Sequence, residues 1–301
     1  MRIEVLLSTH DGERFLAEQL DSLLEQTLGG VEILARDDGS TDGTRAMLDR
    51  YRWSGRLRWY GGERLGAARS FWRLLGDSGE ADYYAFCDQD DVWDADKLEI
   101  AVRALERIGT DAPALYCGDV RVADAGMRII SEGMVKPTPT DYPHALFKKI
   151  APGCTYVFNH SARDLLRGYD AEALGIGLHD WTALQIVACF GRVIFDETPH
   201  MRYRQHGDNA IGAHRRTALS LLRKLPAFWS GPMKNSRERQ ALRLERAFGE
   251  KMTGENRALT AMLAHYRSDK AQKRALLKAL KAMPGKAERR LFSLLTRMNK
   301  L

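Results

Sequence analysis

The sequence lacks paired cysteines, a secretory leader and long apolar runs, and each absence excludes a class of protein. Its four cysteines include no CxxC pair, so neither a zinc site nor a disulfide framework is expected, and buried thiols in a reducing cytosol fit better. No secretory leader is expected, and no uncharged apolar run approaches the ~20 residues that span a bilayer. The chain of 301 residues is 44% hydrophobic and 29% charged. This composition suits one large domain with an appendage, or two domains.

Glycine-rich phosphate-binding motifs are also missing. The first strand-to-helix turn reads STHDGERF without a GxGxxG pattern, and no GxxxxGK[ST] sequence occurs anywhere in the chain. A dinucleotide-binding Rossmann site is therefore excluded. A phosphate group would have to be neutralised in another way, and a metal ion is the alternative.

The charges that are present divide unevenly along the chain. Residues 1–213 hold 24 Lys and Arg against 34 Asp and Glu, a net charge of −10, whereas residues 214–301 hold 22 against 6, a net charge of +16. This asymmetry predicts an acidic body and a basic tail with a polyanionic partner. A solvated basic helix is the simpler alternative.

The first half of the chain alternates apolar segments with amphipathic ones. This alternation predicts an α/β fold with a largely parallel sheet and helices on both faces. The predicted strands are 3–9, 31–38, 57–62 and 82–88, and the predicted helices cover 13–26, the residues after 41, the region of 71–75, and 95–108. The later segments predict mixed strands over 113–124, a helix over 180–191 and a strand over 192–198. Beyond residue 213 only helices are expected.

Polar segments follow each of the first four predicted strands: STHDGE, DDGSTDGT, GGERLGAARS and DQDD. Ligands of an open parallel sheet bind beyond the carboxyl ends of its strands. The four segments are therefore expected to form one crevice.

The segment FCDQDDVW places Asp88, Asp90 and Asp91 within four positions. Carboxylates this close repel one another unless a cation or solvent relieves them. They are hard oxygen ligands for Mg²⁺ or Mn²⁺, which take further ligands from substrate phosphates. The cluster therefore suggests nucleotide-sugar chemistry, and a solvated turn that caps the next helix is the alternative.

Two later residues are candidates for chemistry. Asp180 follows His179 at the start of a predicted helix, where it could serve as a general base for an acceptor hydroxyl or simply as an N-cap. His206 lies in the polar segment YRQHGDN, among phosphate-binding and polar groups that include Arg204. Trp93 and Trp181 directly follow the acid cluster and Asp180, and either ring could stack on an acceptor sugar.

These motifs together resemble one family. In order, MRIEVLLSTHDGERFLAEQLDSLLEQT, VEILARDDGSTDGT, RLGAARSFW and FCDQDDVWDADKL resemble family 2 glycosyltransferases of the GT-A fold. With GLHDW and YRQHGDN downstream, the chain is most similar to the rhamnosyltransferase-type members of bacterial surface polysaccharide synthesis. The resemblance implies a GT-A domain over 1–213, with a nucleotide-sugar half over about 1–125 and an acceptor half over about 126–213. The basic helical extension, 214–301, lies outside it.

On the donor side, the resemblance implies contacts to the nucleotide. Thr9, with Asp37 or Asp38, would hold the base and ribose, and Arg69 would lie beside the base. Asp88 would contact the ribose or the metal ion.

On the reaction side, Asp90 would be the main metal ligand, and His206 would reach the metal or the diphosphate. Asp91 would cap the next helix or support the ligands from behind. Asp180 matches the position of the catalytic base, and His179 is a candidate acceptor contact.

The activity implied is an inverting, metal-dependent transfer from dTDP-rhamnose or a UDP-sugar to a glycan or a lipid-linked acceptor. One alternative is a catalytically silent scaffold of a polysaccharide-assembly complex. Another is a nucleotidyltransferase, although STHDGE lacks the glycine-rich phosphate loop and basic residue that such an enzyme needs.

The tail contains two basic amphipathic segments, 268–282 and 286–300. The second carries an apolar stripe of Leu291, Leu294, Leu295 and Met298, with Phe292 beside it. Such segments predict peripheral contact with an anionic membrane through 268–300, on the cytoplasmic face of the inner membrane. Docking onto the acidic body and homo-oligomer formation are the alternatives. No nucleic-acid partner is expected, because no recognised binding module is present.

Overall fold

The computed structural model describes residues 1–53, 55–109, 111–206, 236–283 and 285–301. Within these ranges the chain alternates strands and helices up to residue 206 and is helical from residue 236 onward. The strands are β1 (Ile3–Thr9), β2 (Val31–Asp37), β3 (Leu57–Gly61), β4 (Tyr83–Cys87), β5 (Val92–Trp93), β6 (Ala114–Gly118), β7 (Arg121–Ala123), β8 (Ile129–Ser131), β9 (Val157–Asn159), β10 (Arg192–Asp196) and β11 (Met201–Arg204).

The helices lie between and after these strands. They are α1 (Leu16–Leu24), α2 (Thr44–Arg52), α3 (Ala67–Asp77), α4 (Lys97–Glu106), α5 (Tyr142–Phe147), α6 (His160–Arg167), α7 (Ala171–Leu174), α8 (His179–Phe190), α9 (Ser236–Phe248), α10 (Gly254–His265), α11 (Lys270–Ala279) and α12 (Lys286–Arg297). Short 3₁₀ turns cover Gly153–Thr155 and Leu280–Ala282. None of the described helices combines the length and the apolar composition that a membrane span requires.

In the described part of the chain, seven strands form the main sheet in the order β10-β6-β9-β4-β1-β2-β3. The pairs β1–β2, β2–β3, β1–β4 and β6–β10 are parallel, and β9 runs antiparallel between β4 and β6. A smaller sheet has the order β5-β11-β7-β8. The predicted α/β class with a mostly parallel sheet is confirmed.

Hydrophobic cores lie on both faces of the main sheet. Successive side chains of a strand point to opposite faces, so Val5 of β1 packs into one core with Leu16, whereas Leu6 packs into the other with Phe86. Because both faces of β1 are covered, nearly the whole segment IEVLLST is buried. This burial explains why the first strand reads as a continuous apolar run.

The helices of the tail belong to one of these cores. Phe292 and Leu295 of α12 lie in the same apolar cluster as Phe147 and Leu184, and the rings of Phe147 and Phe292 are 5.6 Å apart. The predicted burial of Phe292 and Leu295 in a membrane is therefore corrected, because both side chains pack on the body, whereas Leu294 and Met298 of the same segment are exposed. The division at residue 213 stays a prediction.

Candidate active site

The site forms where β1, β2 and β4 end side by side. The register pairs Thr9 with Asp37, and β4 ends at Cys87, directly before the acid cluster. Gln89 ties the two turns together, since its side chain accepts a hydrogen bond from the N–H of His10 at 2.8 Å and donates one to the carbonyl of His10 at 2.9 Å. The predicted convergence of these strand ends is thereby observed.

Asp90 and His206 form the central contact of the site. The Nε2 atom of His206 lies 2.7 Å from Oδ2 of Asp90, across 116 positions of sequence. Pairing of β5 with β11 brings them together, because β5 follows the acids and β11 ends two residues before His206. The ring of His206 also lies 4.8 Å from that of Phe15.

Asp88 and Asp91 are acids in a poorly solvated environment. Burial, followed by the charge of Asp90, raises the pKa of both carboxyls, and the charge of Asp180 adds to the effect at Asp88. Among the described residues, Oδ2 of Asp91 is buried without a hydrogen-bond partner. A carboxylate cluster with an unpartnered oxygen is costly without a cation.

The chemistry of this donor set fits a divalent metal ion. Oxygen ligands from Asp88, Asp90 and Asp91 suit Mg²⁺ or Mn²⁺, and the imidazole of His206 suits Mn²⁺. Asp88, Asp91 and Cys154 bring their ligand atoms within 4.8 Å of one another. Burial raises the pKa of the Cys154 thiol, so Cys154 stays protonated and is a poor ligand.

Arg204 holds the acid turn in place. Its side chain is 1% exposed and donates to the carbonyl of Asp90 at 2.6 Å and to Glu18 at 2.7 Å, while its N–H donates to Asp91. The prediction counted Arg204 among phosphate-binding groups around His206, and this is corrected because the guanidinium is engaged inside the protein. The neighbouring Asp208 and Asn209 lie outside the described residues.

Asp180 lies in the first turn of α8, near enough to Asp88 for its charge to affect the pKa of that carboxyl. The ammonium of Lys149 forms an ion pair with Oδ2 of Asp180, which also accepts a hydrogen bond from the N–H of Gly153 at 3.2 Å. Burial alone would raise the pKa of Asp180, but Lys149, together with His179 and the N–H of Trp181, holds the pKa below its usual range. Asp180 is thus an ionised, nearly buried carboxylate.

Asp180 is not the N-cap that the simpler interpretation proposed, because Leu178 occupies that position. Its surroundings are tight: a Cβ at Gly153 would meet the Asp180 side chain at 2.7 Å and Nε2 of His179 at 2.9 Å. Glycine at 153 therefore permits the close approach of this turn to α8.

The donor-side acids are engaged by protein groups. Asp37 is buried and accepts hydrogen bonds from the N–H of Ser40 at 3.1 Å and from Arg45 at 2.7 Å. Burial opposes ionisation of Asp37, but these donors leave its pKa below the usual value. Its second oxygen lies 3.4 Å from the hydroxyl of Thr9.

Asp38 shapes the crevice from within the protein. Its two oxygens accept hydrogen bonds from the N–H groups of Leu65 and Gly66, each at 2.7 Å, and it forms an ion pair with Arg36. Both oxygens of Asp38 thus already accept hydrogen bonds from the protein, and its contact with the nucleotide stays a prediction. Arg69 stands exposed in the first turn of α3.

Burial speaks against Trp93 and Trp181 as stacking surfaces for an acceptor sugar. Trp93 is 3% exposed with Lys97 over its ring, and Trp181 is 9% exposed and donates to the carbonyl of Ala145. Neither ring presents a face to a sugar. His179 is partly buried and stacks on Phe71 at 4.1 Å, and its contact with an acceptor stays a prediction.

The predicted capping role of Asp91 is also wrong. Helix α4 begins at Lys97 after Asp96, and Asp91 instead accepts a hydrogen bond from Arg204. This contact agrees with the alternative prediction, in which Asp91 supports the ligands from behind.

Sequence reasoning missed Lys149, Gln89 and Gly153, which contact Asp180 or the first strand-end turn. Lys149 has one recognisable signal, a lysine next to the apolar run of ALFKKIAPGC. Such a charge requires a buried partner, although the sequence does not say which one.

Comparison with known proteins agrees with this geometry. The sequence model of the family described as Glycosyl transferase family 2 matches residues 4–155. The dTDP-rhamnosyl transferase RfbG of Shigella flexneri is 29% identical over 227 residues, which cover 69% of this chain and 74% of that protein.

Two solved structures have a similar fold. S. aureus TarS 1-349 in complex with UDP-GlcNAc superposes with a TM-score of 0.60 at 15% sequence identity. The superposition covers 100% of this chain and 88% of the TarS chain. The mannosyltransferase PcManGT from Pyrobaculum calidifontis, in complex with GDP-Man and Mn²⁺, gives 0.51 at 18% identity, with coverage of 99% and 80%. At these identities the comparison establishes the shared fold.

Proposed function

The chain belongs to glycosyl transferase family 2 and has the GT-A fold, and on this basis we propose that it is a metal-dependent, inverting hexosyltransferase. Its donor is a nucleotide diphosphate sugar, and its acceptor is a glycan or a lipid-linked glycan. The reaction contributes to cell-surface polysaccharide synthesis on the cytoplasmic side of the membrane. Homo-oligomer formation is compatible with this role.

The contact between Asp90 and His206 is the observation that carries the proposal. Two potential metal ligands 116 positions apart meet at 2.7 Å, directly beside the partly buried Asp88 and the fully buried Asp91. A histidine that approaches a carboxylate cluster from a distant strand supports a metal site, because it adds a neutral ligand to the acids. Mg²⁺ or Mn²⁺ held by Asp88, Asp90 and His206 would neutralise the charge that develops on the leaving diphosphate.

Asp180 is proposed as the general base. Its carboxylate removes the proton of the acceptor hydroxyl while the acceptor oxygen bonds to the anomeric carbon of the donor. The bond between that carbon and the diphosphate oxygen breaks on the opposite side, which inverts the configuration. Lys149 keeps Asp180 ionised before the acceptor arrives, because the ion pair offsets the cost of burial.

The donor is proposed to be dTDP-rhamnose or a UDP-sugar. The relative from Shigella flexneri is a dTDP-rhamnosyl transferase, and TarS binds UDP-GlcNAc. Thr9 and Asp37 lie side by side at the ends of β1 and β2, where they would contact the base and ribose. Arg69 is exposed at the start of the neighbouring helix α3 and would lie beside the base.

The test compares donor binding and transfer in three variants of the full chain. Asp90→Ala should lose the Mn²⁺-dependent rise in melting temperature that dTDP or UDP produces, because a ligand of the native state stabilises it. Asp180→Asn should keep that rise but transfer sugar about 10²–10⁴-fold more slowly, the usual contribution of a general base. The control Asp82→Ala removes an exposed acid that directly precedes β4, at the end of the strand remote from the acid cluster, and it should bind and transfer like the parent. Undiminished Mn²⁺-dependent binding by Asp90→Ala would contradict the metal assignment.

A further inference from the structure

An open groove is lined by side chains of the last helix, α12, and by Lys281 before it. It has a volume of about 620 Å³. The lining side chains are Lys281, Arg289, Arg290, Ser293, Leu294 and Arg297. Four of these six side chains are cationic, and no carboxylate is among the described lining residues.

The cations of this groove lie in a segment with few acids. Residues 268–301 contain only two acids. Asp269 caps the start of α11, and Glu288 pairs with Lys148 of the body at 3.0 Å. Within the described ranges, none of the four lining cations has a carboxylate oxygen within 4.0 Å. Converging like charges are unfavourable unless an anion binds between them.

Apolar side chains accompany the cations on the outer face of α12. Leu294 is 53% exposed and Met298 is 37% exposed, whereas Phe292 and Leu295 on the other face are 5% and 4% exposed. The outer face is therefore not part of the core. Basic side chains around exposed apolar ones are typical of helices that lie at a membrane interface.

We propose that this groove binds the phosphate of an anionic lipid head group at a bilayer surface. The guanidinium groups of Arg289, Arg290 and Arg297 suit a phosphate because each can donate two parallel hydrogen bonds. Leu294 and Met298 would enter the interfacial region beside it. A lipid is favoured over a nucleic acid because the groove has no aromatic side chain on which a base could stack.

This inference goes beyond sugar transfer and does not depend on it. The inner face of α12 packs on Phe147, two positions before Lys149, which pairs with Asp180. A bilayer bound at the groove would therefore lie on the side of the helix that faces away from this segment.

The test measures sedimentation of the full chain with vesicles. One set contains only phosphatidylcholine, and the other contains phosphatidylcholine mixed with phosphatidylglycerol. The groove variant is Arg290→Glu/Arg297→Glu. The matched control is Lys251→Glu/Arg257→Glu, which makes the same charge change at exposed positions outside the groove. The parent and the control should bind the anionic vesicles and not the neutral ones.

The groove variant should bind anionic vesicles at least about tenfold more weakly than the control, since basic residues near an anionic surface each contribute to attachment. A loss of the same size in the control, or no loss in the groove variant, would overturn the proposal. A third variant, Leu294→Gln, should weaken vesicle binding and leave any binding of inorganic phosphate unchanged.

Two further measurements show whether the bound phosphate belongs to a lipid head group, a free anion or a nucleic acid. Binding of inorganic phosphate or a short DNA at the groove without vesicle binding would assign the site to a free anion or a nucleic acid and overturn the lipid proposal. All variants should keep Mn²⁺-dependent dTDP or UDP binding. Failure of the groove proposal is thus distinguishable from failure of the proposed transfer reaction.

Discussion

At the scale of single residues, the ion pair of Asp180 and Lys149 controls the charge of the proposed base. The Asp180 side chain is 6% exposed and that of Lys149 is 27% exposed. A carboxylate in such a place would be protonated more readily than in water if it stood alone. Lys149 reverses this tendency, so the pKa of Asp180 lies below its usual range.

We therefore predict that Lys149→Met shifts the acidic limb of the pH–rate profile to higher pH. Without the ammonium group, burial raises the pKa of Asp180, and the active carboxylate form is lost sooner as the pH falls. The variant should also be less stable by about 2 kcal/mol at neutral pH, less than for a fully buried pair because Lys149 is partly exposed.

The stability difference should depend on pH in a defined direction. The folded pKa of Asp180 is depressed, so the stabilisation from the pair is present above the unfolded pKa and disappears as pH falls through the folded pKa. The free energies of unfolding of the parent and of Lys149→Met should therefore become equal at acidic pH. Lys148→Met removes the neighbouring lysine, which pairs with Glu288 instead, and should leave the pH–rate profile unmoved. An unchanged acidic limb in Lys149→Met would contradict the argument.

The site residues differ in how far the sequence could predict them. The acids at 88, 90 and 91 follow a buried strand, so their place at the crevice follows from the strand ends alone. Burial of Trp93 and Trp181 and the pairing of Lys149 depend on contacts between distant segments. Local pattern carries no information about such contacts, which explains why the acceptor predictions failed.

At the scale of elements, Asp38 connects strand β2 to helix α3. Gly66 precedes α3 with a φ of 82°, a left-handed conformation that favours glycine. The carboxylate of Asp38 accepts the N–H groups of Leu65 and Gly66 and so fixes this turn against the strand end. The negative charge also lies favourably near the N-terminus of α3.

We predict that Asp38→Ala lowers the free energy of unfolding by about 3 kcal/mol, because it leaves the buried Arg36 without its carboxylate partner. It should also weaken nucleotide binding, since α3 carries Arg69. Asp49→Ala, at an exposed position of α2, should cost less than about 0.5 kcal/mol. Thermal or urea unfolding of both variants checks this, and similar stabilities would show that the turn does not depend on Asp38.

Most elements of the first half could be predicted, because their apolar periodicity is strong. The strand predicted over 3–9 is observed as Ile3–Thr9, and the helix predicted over 180–191 is observed as His179–Phe190. Strand β9 could not be predicted, because Val157–Asn159 is too short to show a period. Its place between β4 and β6 is fixed by the neighbouring strands.

At the scale of the whole molecule, the basic tail is part of the folded body. Beyond the contact of Phe292 with Phe147, Tyr142 of α5 bonds to Thr260 of α10 at 2.6 Å. The sequence predicted helices here but could not predict their partner, because an amphipathic stripe fits a membrane and a protein core equally well. Only the packing shows that the apolar side faces the body and the basic side faces outward.

This packing predicts opposite outcomes for two side chains of α12 that are two positions apart. Phe292 is 5% exposed and Leu294 is 53% exposed. Phe292→Ala should lower the free energy of unfolding by about 3 kcal/mol, because it opens a cavity against Phe147. Leu294→Ala should change it by less than about 0.5 kcal/mol, because its side chain stands mostly in solvent. Urea unfolding of both variants, followed by tryptophan fluorescence, measures the difference. Equal and small effects would mean that α12 does not unfold together with the core, and the tail would then be a separate unit that rests on the body.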